Sequence, residues 1–347
     1  MRKFNVGVVG YGWAAGAHIA ALNATSRAQV AAICSSRPLD PDELSAKHGG
    51  RIACYRDLKS LLTRPDIDAV SIGSLPQMHA RQAIAAARAG KHIIIEKPIA
   101  LSWNDCLALH EAVRRARVRT CVCFEGRFSS QFLTTKEVID SGLLGEIHYG
   151  EVDYYHGIGP WYGQFRWNVQ RTAGGSSLLS AGCHALDALL LCMRGDVVEV
   201  MSYATGSRHR TFRAYEYPTT SATILKFRGG AVGKVASVID CWQPYYFHTH
   251  LVGSEGSLLD DKFHSNKLGG LDKHRWCRLS VKMMDSGDVA DHPYEKQFEA
   301  FFEAVEKGKE MPLTSLGEAM KSFQTIFAAD LSAKKGRPVR LRGLGMS

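Results

Sequence analysis

The sequence predicts an α/β protein. An N-terminal, doubly wound parallel sheet is followed by a C-terminal α+β domain built on a large, mostly antiparallel open sheet. Three observations predict it. Short apolar runs alternate with amphipathic helical patterns over the first 125 residues, which indicates a parallel sheet covered on both faces. The first run ends in the glycine-rich turn Gly10-Tyr11-Gly12-Trp13-Ala14-Ala15. After about residue 125 the runs lengthen and alternate apolar with polar residues, as in a sheet with one face not covered by helices.

In chain order, 4–9 reads as a strand, 14–23 as a helix and 28–34 as a second strand. Helix starts fall at 41–48 and 57–62, with RIACY between them. A strand at 67–73 is followed by an Ala-rich helix at 77–89 that ends at Gly90. The run 92–98 is a strand, 102–115 a helix with Ser102 as its N-cap, and 120–124 a strand. Such crossovers are right-handed, so an open doubly wound sheet follows. Beyond it, 129–141 reads as a helix closed by Gly142. Strands are expected at 146–156, 197–204, 219–227, 231–240, 246–252 and 277–283, with helices at 178–193, 293–307 and 316–334.

A length of 347 residues suggests two domains, placed at 1–125 and 126–347. Hydrophobic residues at 45% and charged residues at 22% exclude general disorder. The apolar runs Ile93–Ile95 and Leu189–Leu191 are far shorter than the roughly 20 residues of a membrane span. The N-terminal MRKFNVGVVGYG lacks the long apolar stretch of a signal peptide. Nine cysteines, several inside apolar runs, suit buried thiols in a reducing cytoplasm. The net charge of +9 favours anionic partners. The basic cluster Lys334, Lys335, Arg337, Arg340 and Arg342 reads as a solvated face, so no nucleic acid is expected; the anions expected are cofactor phosphates. His248-Thr249-His250 sets two imidazoles on one face of a strand. Without a matching Cys or acidic partner in the sequence, no metal site is expected.

Gly10, Gly12 and Ala15 form G-x-G-x-x-A between a strand and a helix. Gly10 allows a tight turn, Gly12 lets the backbone approach a pyrophosphate, and Ala15 permits close helix packing. A pyrophosphate would sit at the helix N-terminus. Gly10, Tyr11, Gly12, Trp13, Ala14 and Ala15 are therefore candidate cofactor contacts. About 20 residues on, an NAD site offers an acid to the ribose. Here Ser35-Ser36-Arg37 stands instead. Two hydroxyls and a guanidinium suit a 2′-phosphate, so NADP is favoured, with NAD possible. Glu96 and Lys97 end a parallel strand, where ligands bind. Ser74, Leu75, Gln77 and His79 follow another strand and should border the nicotinamide half.

In the second half Gly174-Gly175-Ser176-Ser177 leads into an apolar helix bearing Ser180, His184 and Asp187. At i, i+4 and i+3 spacing these three could touch. A His beside a carboxylate is a candidate general base with its orienting partner. Trp161, Tyr162, Arg166 and Trp167 lie in a segment that could stack on and hydrogen-bond a polyhydroxylated ring.

At these residues the chain resembles the Gfo/Idh/MocA family (glucose–fructose oxidoreductase, inositol dehydrogenase, rhizopine catabolism) nearly end to end. The resemblance rests on GYGWAAGAHI at 10–19, the P-x-x-H of Pro76–His79, and Glu96-Lys97-Pro98. It continues through GRF at 126–128, LLGEI at 143–147 and AGGSSLLSAGCHALD at 173–187. It implies a Rossmann domain, a nicotinamide cofactor and a sugar, cyclitol or related polyol substrate. It also implies that Lys97 helps hold substrate and cofactor, often with a cis bond before the following Pro, and that His184 acts as acid/base. Arg127 and Ser180 join the candidate substrate contacts. Many members carry Asp four residues before the His; here it is Ser180, with Asp187 as a partial substitute.

The resulting expectation is a cytoplasmic NAD(P)-dependent oxidoreductase acting on a carbinol/ketone pair of a sugar, glycoside or cyclitol, with Lys97 and His184 catalytic. Two alternatives accompany it: a cofactor-retaining glycoside-processing enzyme that oxidises transiently, and a non-catalytic nucleotide-sensing regulator. The uncovered sheet face suggests a homodimer or homotetramer.

Overall fold

The computed structural model describes residues 3–285, 287, 288 and 292–346. The chain divides into two compact units: Met1–Glu125 with Val289–Met320, and Gly126–Asp288 with Lys321–Ser347.

The first unit is built on β1 (Phe4–Val9), β2 (Ala28–Cys34), β3 (Ala53–Tyr55), β4 (Ala69–Ile72), β5 (His92–Ile95) and β6 (Thr120–Val122). All pairings are parallel, in the order β3-β2-β1-β4-β5-β6. The order reverses between β1 and β4, which creates a crevice at their C-terminal ends. Between the strands lie α1 (Ala15–Ala24), α2 (Pro41–His48), α3 (Leu58–Leu62), α4 (Pro76–Arg88) and α5 (Trp103–Ala116). The caps follow the chemistry of the sequence. The Asp40 carboxylate accepts from the Asp42 and Glu43 N–H groups, and Ser102 accepts from the Asp105 N–H. Val6, Val70 and Ile94 at the strand centres are fully buried, as expected for a sheet covered on both faces.

The second unit contains α6 (Ser130–Asp140), β7 (Ile147–Tyr155), the single turns α7 (Phe165–Asn168) and α8 (Arg171–Gly174), and α9 (Cys183–Cys192). There follow β8 (Val197–Thr205), β9 (Thr220–Phe227), β10 (Val232–Val238), β11 (Tyr246–Gly253), β12 (Gly256–Leu259), β13 (Lys262–Ser265) and β14 (Cys277–Arg278). The later chain adds α10 (Tyr294–Glu306), α11 (Leu316–Lys335), β15 (Val339–Arg342) and β16 (Gly345–Met346). The ten-stranded sheet runs β14-β13-β12-β11-β7-β10-β9-β8-β15-β16. Among the described residues, only β7 and β10 pair in parallel in this sheet; the other pairings are antiparallel. Leu186 and Leu189 of α9 are fully buried. Strands β9 and β11 alternate buried with more exposed residues, so one sheet face is buried and the other is not. Among the described residues, one helical run, Arg171–Cys192, is apolar and long enough to cross a bilayer; 67% of its apolar window is buried in the fold, as in a core helix.

Two expectations need correction. The strand expected at 277–283 is only Cys277–Arg278. Beyond it the Lys282 and Met284 N–H groups donate to Ser130 Oγ and Gln131 Oε1 on α6, so side chains replace a ladder partner. The expected helix at 178–193 is a π turn over Leu178–Gly182 running into α9.

Helix α10, expected in the second domain, groups with the first unit. Its Tyr294, Phe298, Phe301 and Phe302 are buried. Phe298 meets His18 of α1 edge-on at 5.2 Å, and Phe302 stacks on Phe4 of β1 at 5.2 Å.

Candidate functional site

In the first unit the glycine-rich turn lies at the C-terminal end of β1. Gly10 has φ 95°, and a Cβ there would lie 2.8 Å from the Ser74 backbone. Only glycine allows that conformation and that approach. A Cβ on Gly12 would meet nothing within 4 Å, so the space over the start of α1 is open. Ala14 occupies the N-cap and makes no side-chain cap hydrogen bond. The N-terminus of α1 can therefore donate to an anion. Ala15 is buried, while Tyr11 and Trp13 remain partly accessible. These residues fit a dinucleotide.

At the end of β2, Ser35 is buried and its hydroxyl accepts from the Arg37 N–H at 3.1 Å. Ser36 and Arg37 are exposed. The Arg37 guanidinium donates to Tyr11 O at 2.6 Å, which lays it across the glycine turn. The Tyr11 hydroxyl meets His48 Nε2 at 2.9 Å and Lys47 Nζ at 3.4 Å. Sequence reasoning missed Lys47 and His48, because only the packing of α2 brings them to this turn.

After β4, the Ser74 hydroxyl donates to Gln82 Oε1 at 2.6 Å. Leu75 and Gln77 are exposed. His79, expected to border the nicotinamide, is 1% exposed. Its ring nitrogens face Pro98 O at 2.7 Å and Ser74 O at 3.0 Å. The ring ties two strand-end loops together rather than presenting itself to a ligand. Burial pushes its pKa down against the opposing pull of the two carbonyls.

Glu96 and Lys97 follow β5. The buried Glu96 carboxylate accepts from Tyr294 at 2.7 Å and from the Lys97 N–H at 3.1 Å, and meets His18 Nε2 at 2.9 Å. His18 Nδ1 meets Ser71 Oγ at 2.8 Å. Burial pushes the carboxyl pKa up, but His18, Lys97 and Tyr294 outweigh it and hold Glu96 well below the usual carboxylate range. Lys97 is half-buried, and its peptide bond to Pro98 is cis, as the resemblance implies. Neither His18 nor Tyr294 was legible as a partner of Glu96, since each is far from it in sequence. Glycine turn, Arg37, Ser74 and Lys97 all lie at the C-terminal edge of one sheet.

In the second unit His184 lies in the first turn of α9, half-buried. Ser180 sits within the π turn, so it, His184 and Asp187 do not share one regular α-helical stripe. Asp187 is engaged by other groups of the second unit. Its oxygens accept from Arg127 Nε at 2.6 Å and Nη2 at 2.8 Å, and from Ser322 Oγ at 2.7 Å. Arg127, expected to touch substrate, is correspondingly buried and engaged by Asp187. The buried Tyr217 donates to Asn168 O at 2.6 Å and interacts with Ser180. Of the expected aromatic segment, Trp161 is exposed with its indole N–H on Gly157 O at 3.1 Å. Tyr162 donates to Gly287 O at 2.8 Å, and burial pushes its hydroxyl pKa up. Arg166 is exposed and Trp167 half-buried. Trp242, not singled out in the sequence, lies beside Trp161 at 5.2 Å between ring centres. Lys97 and His184 belong to different units.

Residues 4–124 match the oxidoreductase family with an NAD-binding Rossmann fold, and residues 132–259 match the GFO/IDH/MocA C-terminal domain. A 1-carboxy-3-chloro-3,4-dihydroxycyclohexa-1,5-diene dehydrogenase of Comamonas testosteroni is 31% identical over 66% of this chain and 56% of its own. A myo-inositol 2-dehydrogenase of Thermotoga maritima is 25% identical over 97% of this chain and 98% of its own. The chain spans about half the length of two curated relatives it matches, 56% and 50%. The fold is shared with a levoglucosan dehydrogenase solved in complex with NADH, at a TM-score of 0.83 and 22% identity over 98% of this chain and 100% of that one. With both family domains matched in order along one chain, and with the glycine turn and Glu96-Lys97-Pro98 in place, the protein belongs to the Gfo/Idh/MocA oxidoreductase family.

Proposed function

We propose that the chain is an NAD(P)-dependent oxidoreductase acting on a CH–OH group of a sugar, glycoside or cyclitol. The observation that carries this reading is the juxtaposition, on one sheet edge, of an open glycine turn at a helix N-terminus with Lys97 at the end of β5. The inositol and levoglucosan dehydrogenases among the relatives support the substrate class. A bound nicotinamide cofactor supplies the hydride acceptor or donor at its ring C4. In the oxidative direction the substrate carbon loses a hydride and its hydroxyl loses a proton, which leaves a ketone. His184 takes that proton, and the Lys97 ammonium polarises the oxygen. Arg37, with Ser35 and Ser36 beside it, favours NADP over NAD through its affinity for a 2′-phosphate.

The first unit takes the cofactor, and the second supplies substrate contacts and the contacts between copies. We infer a cytoplasmic homodimer or homotetramer. Tyr203, Ile224 and Val232 lie on the uncovered face of the sheet with exposures of 68%, 49% and 39%, an apolar surface suited to burial against a second copy. All nine cysteines are free thiols, which suits a reducing compartment. The test is to incubate pure protein with NAD or NADP and a panel of sugars, glycosides and inositols, following nicotinamide absorbance. Turnover on at least one polyol is expected; none with either cofactor would overturn the reading.

A further inference from the structure

The sequence places His248 and His250 on one face of a strand but shows no acidic partner. The fold supplies one. Strand β11 pairs antiparallel with β7, in a register that sets His250 opposite Glu151 and His248 opposite Asp153. The ligand atoms of Glu151, His248 and His250 lie within 4.8 Å of one another. His248 Nε2 is 4.0 Å from Glu151 Oε1. On the other side of the ring, His248 Nδ1 lies 3.4 Å from Asp260 Oδ1 and 3.0 Å from the Tyr246 hydroxyl. A carboxylate behind a histidine holds the proton on Nδ1 and turns the Nε2 lone pair toward a metal. All three residues are half-buried on the face not covered by helices.

We propose that Glu151, His248 and His250 form a site for one divalent transition-metal ion of the zinc class, with Asp260 orienting His248. Two imidazoles and one carboxylate are the donor set of such ions rather than of magnesium or calcium, which prefer all-oxygen ligands. Two adjacent strands present the ligands, so the ion cross-links β7 to β11 at the centre of the sheet. Lys234 competes for the site. Its ammonium donates to Glu151 Oε1 and to Asp153 Oδ2, each at 2.6 Å. Binding moves that ammonium onto Asp153, which retains it while Glu151 turns to the metal. The second His/Cys/acid group, His18 with Glu96 and Cys123, is fully buried. Both ring nitrogens of its histidine already face Ser71 and Glu96, so it offers no free imidazole lone pair.

The test is a calorimetric titration of tag-free protein with zinc chloride, paralleled by cobalt(II) with its visible absorption as readout. One ion per chain is expected, unaffected by excess magnesium. His250→Ala and His248→Ala should each weaken zinc by more than about tenfold, and Asp260→Asn by about tenfold, the effect typical of an orienting partner. Lys234→Met, with the competing ammonium gone, should bind zinc as tightly or more tightly. Circular dichroism verifies that each variant is folded. Absence of saturable binding, or affinity unchanged in both His248→Ala and His250→Ala, would overturn the proposal. The readout needs neither nicotinamide nor sugar, so it stands or falls apart from the oxidoreductase reading.

Discussion

Arg127 and Asp187 form a buried two-point ion pair, Nε to Oδ2 at 2.6 Å and Nη2 to Oδ1 at 2.8 Å, with side chains 6% and 3% exposed. Ser322 of α11 adds a third donor to the same carboxylate. The pair joins the start of the second unit to α9, the helix that carries His184. Removing one partner leaves a charge without compensation in a dry site. Asp187→Ala or Arg127→Ala should therefore cost about 3–5 kcal/mol in stability. A matched apolar double replacement should cost much less, because no lone charge remains. Chemical denaturation of the three variants checks this; equal losses in all of them would refute the ion-pair account.

His184 should carry the proton. Loss of a positioned general base costs about 10²–10⁴ in rate. His184→Ala should lower kcat by that order and leave NADP affinity nearly intact, since the helix belongs to the other unit. Lys97→Ala should damage both turnover and substrate binding. Near-wild-type kcat in His184→Ala would end the assignment. Tyr162 is then a poor substitute, because burial raises its hydroxyl pKa and Gly287 O holds its proton.

Ser180→Asp asks what the departure from the usual family pattern means. Ser180 lies half-buried in a π turn beside the buried Tyr217. A carboxylate there meets a desolvation cost, so activity should fall. Activity kept or raised, read from kcat/KM on the best substrate, would show that the position still accepts the usual charge.

Arg37→Ala should weaken NADP selectively, by about 1.5–3 kcal/mol, the value of a hydrogen bond to a charged group. NAD should be affected little. Binding of both cofactors measured calorimetrically decides it; equal losses, or a wild-type preference for NAD, would overturn the NADP assignment.

His79 makes stability depend on pH. Its folded pKa lies below the ordinary value of 6.5, chiefly through burial. As pH falls below 6.5 the unfolded chain takes up this proton before the folded one. The histidine's contribution is therefore complete above the unfolded value and lost as pH drops toward the folded one. Urea unfolding above and below that value should show a loss on the acid side that is smaller in His79→Gln. An unchanged slope in the variant would refute the assignment.

Strands β1, β2, β4, β5 and β6 of the first unit, its glycine turn and the position of Glu96-Lys97 were legible because each depends on local pattern, whereas the short β3 was not read. A parallel strand is apolar throughout, and a turn with positive φ demands glycine, as Gly10 shows. The Ser102 cap was equally local. Short strands such as β12 and β15 carried too little alternation to be read, and they form because longer neighbours pair with them.

By itself the sequence determined the fold class and the glycine-rich turn of the Rossmann domain, and it nominated candidate site residues. Tertiary structure decided which of them meet. It assigned α10 to the first unit, because Phe298 and Phe302 find their partners at His18 and Phe4, almost three hundred residues away. It set Asp187 against Arg127 and Ser322, and brought Glu151 near His248 and His250. Helical spacing states which residues could touch along one element. Which element arrives opposite is set by strand register and by burial of apolar faces, and those are satisfied only when distant parts of the chain pack together.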